Sequence, residues 1–142
     1  VLSHVSIVEM PCYHKLLVIS DVAVIPLPDF KQKTVQIGYL ARTANLLGIK
    51  TPKIACIAPS EQLLPNVISS TEGALLAKMG DRGQLGDVVV DGPLSLDVAL
   101  YCGGELAAMV MGTKVPCVLT SRGDTSKTKL YSIALACLAV KQ

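Results

Sequence analysis

The apolar residues of this chain follow two spacings in turn. Leu2–Glu9 and Lys15–Ile25 are short runs rich in Val, Ile and Leu, which predicts two strands joined across Pro11-Cys12-Tyr13-His14. Pro26-Leu27-Pro28-Asp29 ends the second. The spacing then becomes helical: Ile37, Leu40, Ala41, Ala44 and Leu47 share one face of a helix expected from about Phe30 to Leu47. Asp29 is its N-cap, Gly48 its stop, and Pro52 follows. Lys53–Ala58 predicts a buried strand closed by Pro59, and Ser60–Ile68 has no strong period. Ser69, with Glu72 three residues later, reads as a capping box opening a helix to about Met79. Gly80, Gly83 and Gly86 punctuate the next turn, Leu85–Val90 predicts another strand, and Asp91-Gly92-Pro93 breaks it. Two short helical patterns flank Gly103-Gly104. Val115–Leu119 predicts a last strand buried on both faces. Leu130, Ile133, Ala134, Cys137 and Leu138 then mark the apolar face of a terminal helix, Lys127–Val140.

Strands alternating with helices predict an α/β layered fold, three layers deep, around a mostly parallel sheet. Composition agrees: the chain is 51% hydrophobic, aliphatic rather than aromatic, with no Trp and a single Phe. Only 17% of residues are charged, below the usual ~25%. An apolar share of surface that large implies oligomerisation or a further half of the molecule to cover it. The net charge of +2 is too small, and its cations too dispersed, to indicate a nucleic-acid partner. No apolar run approaches the ~18–20 residues a membrane helix needs. Cys12, Cys56, Cys102, Cys117 and Cys137 are odd in number and widely spaced, and His4 and His14 are the only histidines. A zinc site or disulfide framework is therefore not expected; reduced, buried thiols in a cytoplasmic protein are, with Cys117 in the core. The chain opens on Val, which suggests that residues precede it.

The chemistry concentrates between the last strand and the last helix. From Thr120 to Lys129 there is no apolar side chain. Thr125 and Ser126 are ordinary capping types, but Arg122, Lys127 and Lys129 crowd a helix opening that already carries partial positive charge. A bound anion would resolve the conflict, since backbone N–H groups and cations would converge on it; a solvated basic loop is the plainer alternative. Asp91, at a strand's carboxyl end, stands where open α/β sheets place ligand-binding groups, or else it caps the turn through Gly92-Pro93. Arg82 is a surface residue or a weaker binding candidate. Gly80, Gly83 and Gly86 do not form a dinucleotide fingerprint: the spacing is wrong and they precede a strand. No phosphate-binding P-loop is present, and Arg122-Gly123-Asp124 matches an adhesion tripeptide only by coincidence.

Three motifs in order carry a resemblance. They are Ala77-Lys78-Met79-Gly80-Asp81-Arg82-Gly83-Gln84, then Val89-Val90-Asp91-Gly92-Pro93-Leu94-Ser95-Leu96-Asp97, then Thr120-Ser121-Arg122-Gly123-Asp124 followed by Thr128–Ala136. The chain resembles the phosphate acetyl/butyryltransferase family, its butyryltransferase branch most, over nearly its whole length. The resemblance implies a reaction of acyl-CoA with inorganic phosphate to give acyl phosphate and CoA, with butyryl or a branched short chain as the acyl group. Coenzyme A enters as substrate, and neither cofactor nor metal is implied. Ser121 and Arg122 match a Ser-Arg pair that lines the active site: Arg122 would neutralise phosphate and the tetrahedral intermediate, and Ser121 would orient the thioester. The acetyltransferase branch has an Asp seven positions after that Ser. Here the position is Thr128, so the base role cannot be carried over; Asp124 is the nearest carboxylate, either as base or as helix cap. Asp91, Gly92, Thr125, Ser126 and Lys129 are the residues expected at the substrate.

The resemblance also implies a two-lobed fold like that of the isocitrate and isopropylmalate dehydrogenases. Residues 1–142 would be the C-terminal part of such a domain, with 1–120 mainly one lobe and 121–142 the active-site loop and a helix packing toward the other. A further βα unit is expected between Leu100 and Tyr101, and a whole lobe before Val1. A homo-oligomer is the expected assembly. A related dehydrogenase is a weaker reading, because no cluster of metal-binding acids supports it. A non-catalytic regulatory domain of the same fold is the other alternative.

Overall fold

The computed structural model describes residues 1–9, 11, 13, 15–95, 105–111, 117–118 and 126–140. Asp29 begins the first helix as its composition predicts. Its Oδ1 accepts from the Gln32 N–H at 2.7 Å, and its own N–H donates to Gln32 Oε1 at 2.9 Å, a complete capping box for α1, Phe30–Leu46. Gly48, at φ +86°, turns the chain out of the helix in the left-handed region that glycine adopts freely.

Among the described residues five strands flank the helices: β1 Ser3–Glu9, β2 Leu17–Ile19, β3 Lys53–Ile57, β4 Val89–Leu94 and β5 Glu105–Met111. They form two sheets. In one, β1 lies between β2 and β5, antiparallel to both. In the other, β3 and β4 run parallel, with Lys53 opposite Val89 and Ala55 opposite Asp91. The fold is mixed α/β, and among the described strands the mostly parallel sheet expected from the sequence holds only for β3 and β4. For β1 and β2 the reason is local. The chain between Glu9 and Leu17 is far shorter than the dozen or more residues a parallel crossover needs. For β5 the reason is non-local: Glu105–Met111 was expected to be helical, but full-length pairing with β1, from Ser3↔Met111 to Glu9↔Glu105, outweighs that propensity.

The second helix, α2, spans Ile68–Asp81. Ser69 and Glu72 do not cap it, since the N-cap residue is Val67 and no side chain caps the first turn. Ser70, buried, instead holds the preceding loop: its hydroxyl donates to Gln62 O at 3.0 Å and accepts from the Leu64 N–H at 2.9 Å. Glu72 is engaged across the fold by Lys33 of α1. Gly80, expected in a turn, lies inside α2, and a Cβ there would sit 2.9 Å from Val90 Cβ. Close approach of α2 to β4 is what requires glycine at that position. Gly83 and Gly86, at φ +67° and +87°, do form the turn that follows.

Two hydrophobic clusters hold the layers. Val5 and Ile7 of β1 pack with Leu135 and Ala139 of the last helix, α3 (Ser126–Val140), joined by Val18, Tyr39, Leu40, Leu46 and Leu47. Ile37, Leu76, Val88 and Val90 form the second, joined by Phe30, Ala41, Ile54, Cys56, Met79 and Leu85. Residues of α1 enter both.

The apolar face that Leu130, Ile133, Ala134, Cys137 and Leu138 mark on α3 is not the one that meets the sheet. Ser132, Leu135, Ala136 and Ala139 are buried, whereas Leu130 is 62% exposed, Ile133 52% and Leu138 45%, with Ala134 and Cys137 also exposed. The helix is apolar nearly all round, so periodicity offers two apolar faces, and the sheet takes the one carrying the smaller residues. Cys117, expected in the core, is exposed, and so is Cys137; Cys56 is half-buried.

Candidate functional site

The carboxyl end of β3 opens between the first turns of α1 and α2. That is where open α/β folds place their ligands, because the helix N-termini and strand ends leave a crevice there. A cavity of about 200 Å³ lies at this position, walled by Lys33, Gln36, Ile37 and Leu40 of α1, Ile54–Ile57 of β3, and Ser69, Glu72 and Leu76 of α2. Lys33 Nζ and Glu72 Oε2 form an ion pair at its rim, each side chain largely shielded from solvent. The Gln36 side chain is 4% exposed, and its Nε2 has no hydrogen-bond partner. Burial pushes the Cys56 thiol above its ordinary pKa; the Lys33 ammonium opposes this and the Asp91 carboxylate adds to it. Cys56 is therefore a wall of the cavity rather than a ready thiolate.

Asp91 and Gly92, expected to terminate the strand, are part of β4, which continues through Pro93 to Leu94. Proline is tolerated because it falls where the β3–β4 register shifts and the ladder is interrupted. The register shifts between Ala55 and Ile57, so that Cys56 faces both Gly92 and Pro93. A Cβ on Gly92 would lie 2.6 Å from Cys56 Cβ, so glycine here is required by packing. Asp91 is exposed, and its Oδ1 accepts from the Gly92 N–H at 2.8 Å. The pair thus borders the cavity through Cys56.

Ser126 and Lys129 occupy the first turn of α3. Their helix rests on β5 and α1, while β4, which carries Asp91 and Gly92, rests on β3 and α2. Lys127 Nζ lies 5.5 Å from the Tyr131 ring centroid, a cation–π distance. Ser121, Arg122, Asp124 and Thr125 lie outside the described residues, as does the junction of Leu100 and Tyr101. Lys33, Gln36, Cys56 and Glu72 were missed by the sequence reading. One signal was available, a glutamine set on the apolar face that Ile37, Leu40 and Ala44 define.

A half-buried carboxylate marks the other sheet. Asp21 Oδ2 accepts from Ser3 Oγ at 2.7 Å and from the His4 N–H at 2.9 Å, and Oδ1 accepts from the Ala23 and Val24 N–H groups at 2.8 Å each. Partial burial works to raise its pKa, but these donors outweigh it and bring the value down to about 2. Four donors around one carboxylate make it a structural hub, tying β1 to the segment after β2.

A mixed α/β chain with a crevice at the ends of its parallel strands is a scaffold shared by many enzymes; comparison narrows the class. Residues 1–103 match the family described as "Phosphate acetyl/butaryl transferase". The phosphate butyryltransferase of Clostridium acetobutylicum is 34% identical over 96% of this chain and 58% of its own length, and the phosphate acetyltransferase of Thermotoga maritima is 32% identical over 93% and 58%. The crystal structure of a branched-chain phosphotransacylase from Enterococcus faecalis V583 superimposes with a TM-score of 0.84 and 27% identity, over 99% of this chain and 63% of that one. The chain belongs to the phosphate acetyl/butyryltransferase family. It spans little more than half the length of the curated relatives it matches. The match to the Clostridium protein runs over 175 positions against 142 residues here, so at least 33 of those positions have no counterpart in this chain.

Proposed function

We propose that the protein to which this chain belongs is a phosphate acyltransferase, exchanging a short acyl group between coenzyme A and inorganic phosphate. The observation that carries this reading is the family match over residues 1–103, reinforced by relatives whose names share the phosphate acceptor while differing in acyl group. A phosphate oxygen attacks the thioester carbonyl carbon, a C–O bond forms, and the C–S bond breaks as the tetrahedral intermediate collapses. The thiolate then takes a proton to leave as free CoA. In this scheme the Arg122 guanidinium holds phosphate and the intermediate's oxygens through a bidentate fork. Ser121 orients the thioester, and Asp124 is the carboxylate available for proton transfer. Asp91 and Gly92 border the substrate, and Thr125, Ser126 and Lys129 contribute donors at the opening of α3. Butyryl or a branched short chain is the acyl group we favour.

The remaining part of the relatives' length would supply a second lobe, as in the isocitrate dehydrogenase-like arrangement, and the exposed Leu130, Ile133 and Leu138 of α3 would find cover there. Assembly as a homo-oligomer and residence in the cytoplasm complete the proposal; no helix among the described residues is long and apolar enough to cross a membrane. The test is release of free thiol from butyryl-CoA by the full-length protein, with acyl phosphate trapped as the hydroxamate. Thiol release should require phosphate and match hydroxamate one to one. Release that continues unchanged without phosphate, or no release from any short acyl-CoA, would sink the reading.

A further inference from the structure

The parallel pair β3 and β4 is covered on one face. Ile54, Cys56 and Val90 pack there with Ile37 of α1 and Leu76 of α2. On the opposite, outer face Lys53, Ala55, Ile57, Val89 and Asp91 are exposed, Ile57 at 46% and Val89 at 50%. A strand with one wet face alternates apolar and polar residues, whereas a parallel strand covered on both faces is apolar almost throughout. Residues 54–58 and 88–90 are unbroken apolar runs of the second kind. Their composition calls for a layer over the outer face.

Where that layer belongs in the chain follows from the relatives. At least 33 positions of the Clostridium acetobutylicum match have no counterpart here, and they lie inside the matched span. The family match stops at residue 103, although the Clostridium match covers 96% of the chain and so continues well past that point. The interruption therefore falls soon after β4, which ends at Leu94. A strand–helix–strand unit takes about 30 residues, so the interrupted positions suffice for one helix and one strand. Handedness then fixes where both go, because a crossover between parallel strands is right-handed. β3 leads through α2 to β4, with α2 on the inner face. A right-handed crossover running on beyond β4 would lay its helix on that same face, which α1 and α2 already occupy. One that returns past β3 lays its helix on the outer face, over Ala55, Ile57 and Val89. Its strand then lies beside β3, which pairs only with β4 among the described strands.

We infer that the outer face of β3–β4 and the outer edge of β3 are the docking surface for one strand-and-helix unit, formed by the residues that fill the interrupted positions. The helix carries an apolar stripe against Ile57 and Val89, with polar margins for Lys53 and Asp91. The consequence for the site rests on the acyltransferase reading above. With the new strand beside β3, the direction of winding reverses at β3. Open α/β sheets bind ligands at such a reversal, outside the carboxyl ends of the strands. The new strand is then the second wall of the crevice whose first wall is β3.

The experiment compares the full-length protein with a form in which the Clostridium residues at these positions are inserted between Leu100 and Tyr101. Amide exchange of β3, measured relative to β4 by mass spectrometry, should slow about tenfold or more on insertion, since β3 gains a second partner. Val89→Lys should leave the melting temperature of the uninserted form unchanged. It should lower that of the inserted form by about 4 °C or more, because the charge then lies beneath a helix. Val89→Ser should show the same contrast with a smaller shift. Slowed exchange in β4 relative to β3, with Val89→Lys neutral in both forms, would put the helix on the inner face and overturn the assignment. Exchange unchanged in both strands would overturn it as well. If β3 is protected and Val89→Lys behaves as expected, yet the inserted form releases no thiol from any short acyl-CoA, the docking stands. The transferase reading then falls, and the crevice assignment with it.

Discussion

Replacing Asp21 by asparagine tests how far one carboxylate holds the antiparallel sheet together. In the wild type both oxygens are used, Oδ2 by Ser3 and His4 and Oδ1 by Ala23 and Val24. The asparagine amide keeps one acceptor oxygen, so two of the four donors are turned toward an NH2 group. A hydrogen bond to a charged group contributes about 1.5–3 kcal/mol, and a donor left facing another donor costs about as much. The group is partly solvated, so water replaces some of the loss, and we expect a net destabilisation of about 2–3 kcal/mol at pH 7. The pH dependence gives an independent check. The pKa is lowered from 3.8 to about 2 on folding. A depressed pKa means that the unfolded chain binds the proton more readily, so the contribution is fully present above about pH 4 and is lost as pH falls toward 2. At 1.36 kcal/mol per unit the full shift would correspond to about 2.4 kcal/mol, which solvent screening reduces to about 1–2 kcal/mol. Urea unfolding followed by circular dichroism, wild type and Asp21→Asn in parallel, measures both quantities. The stability gap should narrow by about 1–2 kcal/mol between pH 5 and pH 2. Parallel curves across that range, or a gap below about 0.5 kcal/mol at pH 7, would refute the hub.

Gly92→Ala places a methyl group 2.6 Å from Cys56 Cβ and 3.1 Å from Cys56 O; overpacking of this kind costs about 1–3 kcal/mol, read as a lower melting temperature. Arg122→Lys should weaken phosphate use severely, since a point charge cannot replace a bidentate fork, and an unchanged phosphate KM would remove Arg122 from the site. If Asp124 is the base, Asp124→Asn lowers turnover by roughly 10²–10⁴ and abolishes the acidic limb of the pH–rate profile. If it is a helix cap, melting falls by the equivalent of about 1 kcal/mol while activity per folded molecule survives. Ile133→Lys with Leu138→Lys should reduce hydrophobic-dye binding by the 142-residue chain without lowering its melting temperature, because both side chains are about half exposed in it; a lower melting temperature would mean that this face is already packed.

Where a rule is local, the sequence was readable. The bounds of α1 follow from Asp29, the apolar period and Gly48; the short link between β1 and β2 demanded an antiparallel pair, and the expectation of a mostly parallel sheet passed over that local rule. Where two elements meet across long separation, local pattern fell short. β5 carries Ala107, Ala108 and Met109, helix formers held extended by pairing with β1. The buried face of α3 could not be chosen from a helix apolar on both sides. The Lys33–Glu72 pair at the cavity rim joins residues 39 positions apart, with no motif to announce it. The Ser121–Asp124 loop was legible only through its likeness to a family, because polarity at a helix start is equally the mark of a cap.

The placement of α1 in both hydrophobic clusters bears on how this chain comes apart. The antiparallel and parallel sheets share no ladder among the described strands, so backbone pairing alone would allow each to open separately. Ile37 and Ala41 belong with Leu76 and Val90, whereas Leu40 and Leu46 belong with Val5 and Leu135. Fraying α1 therefore strips apolar cover from both sheets at once. Amide exchange should reflect this: protons of β1 and of β4 are released at a similar free energy, as members of one cooperative unit rather than two.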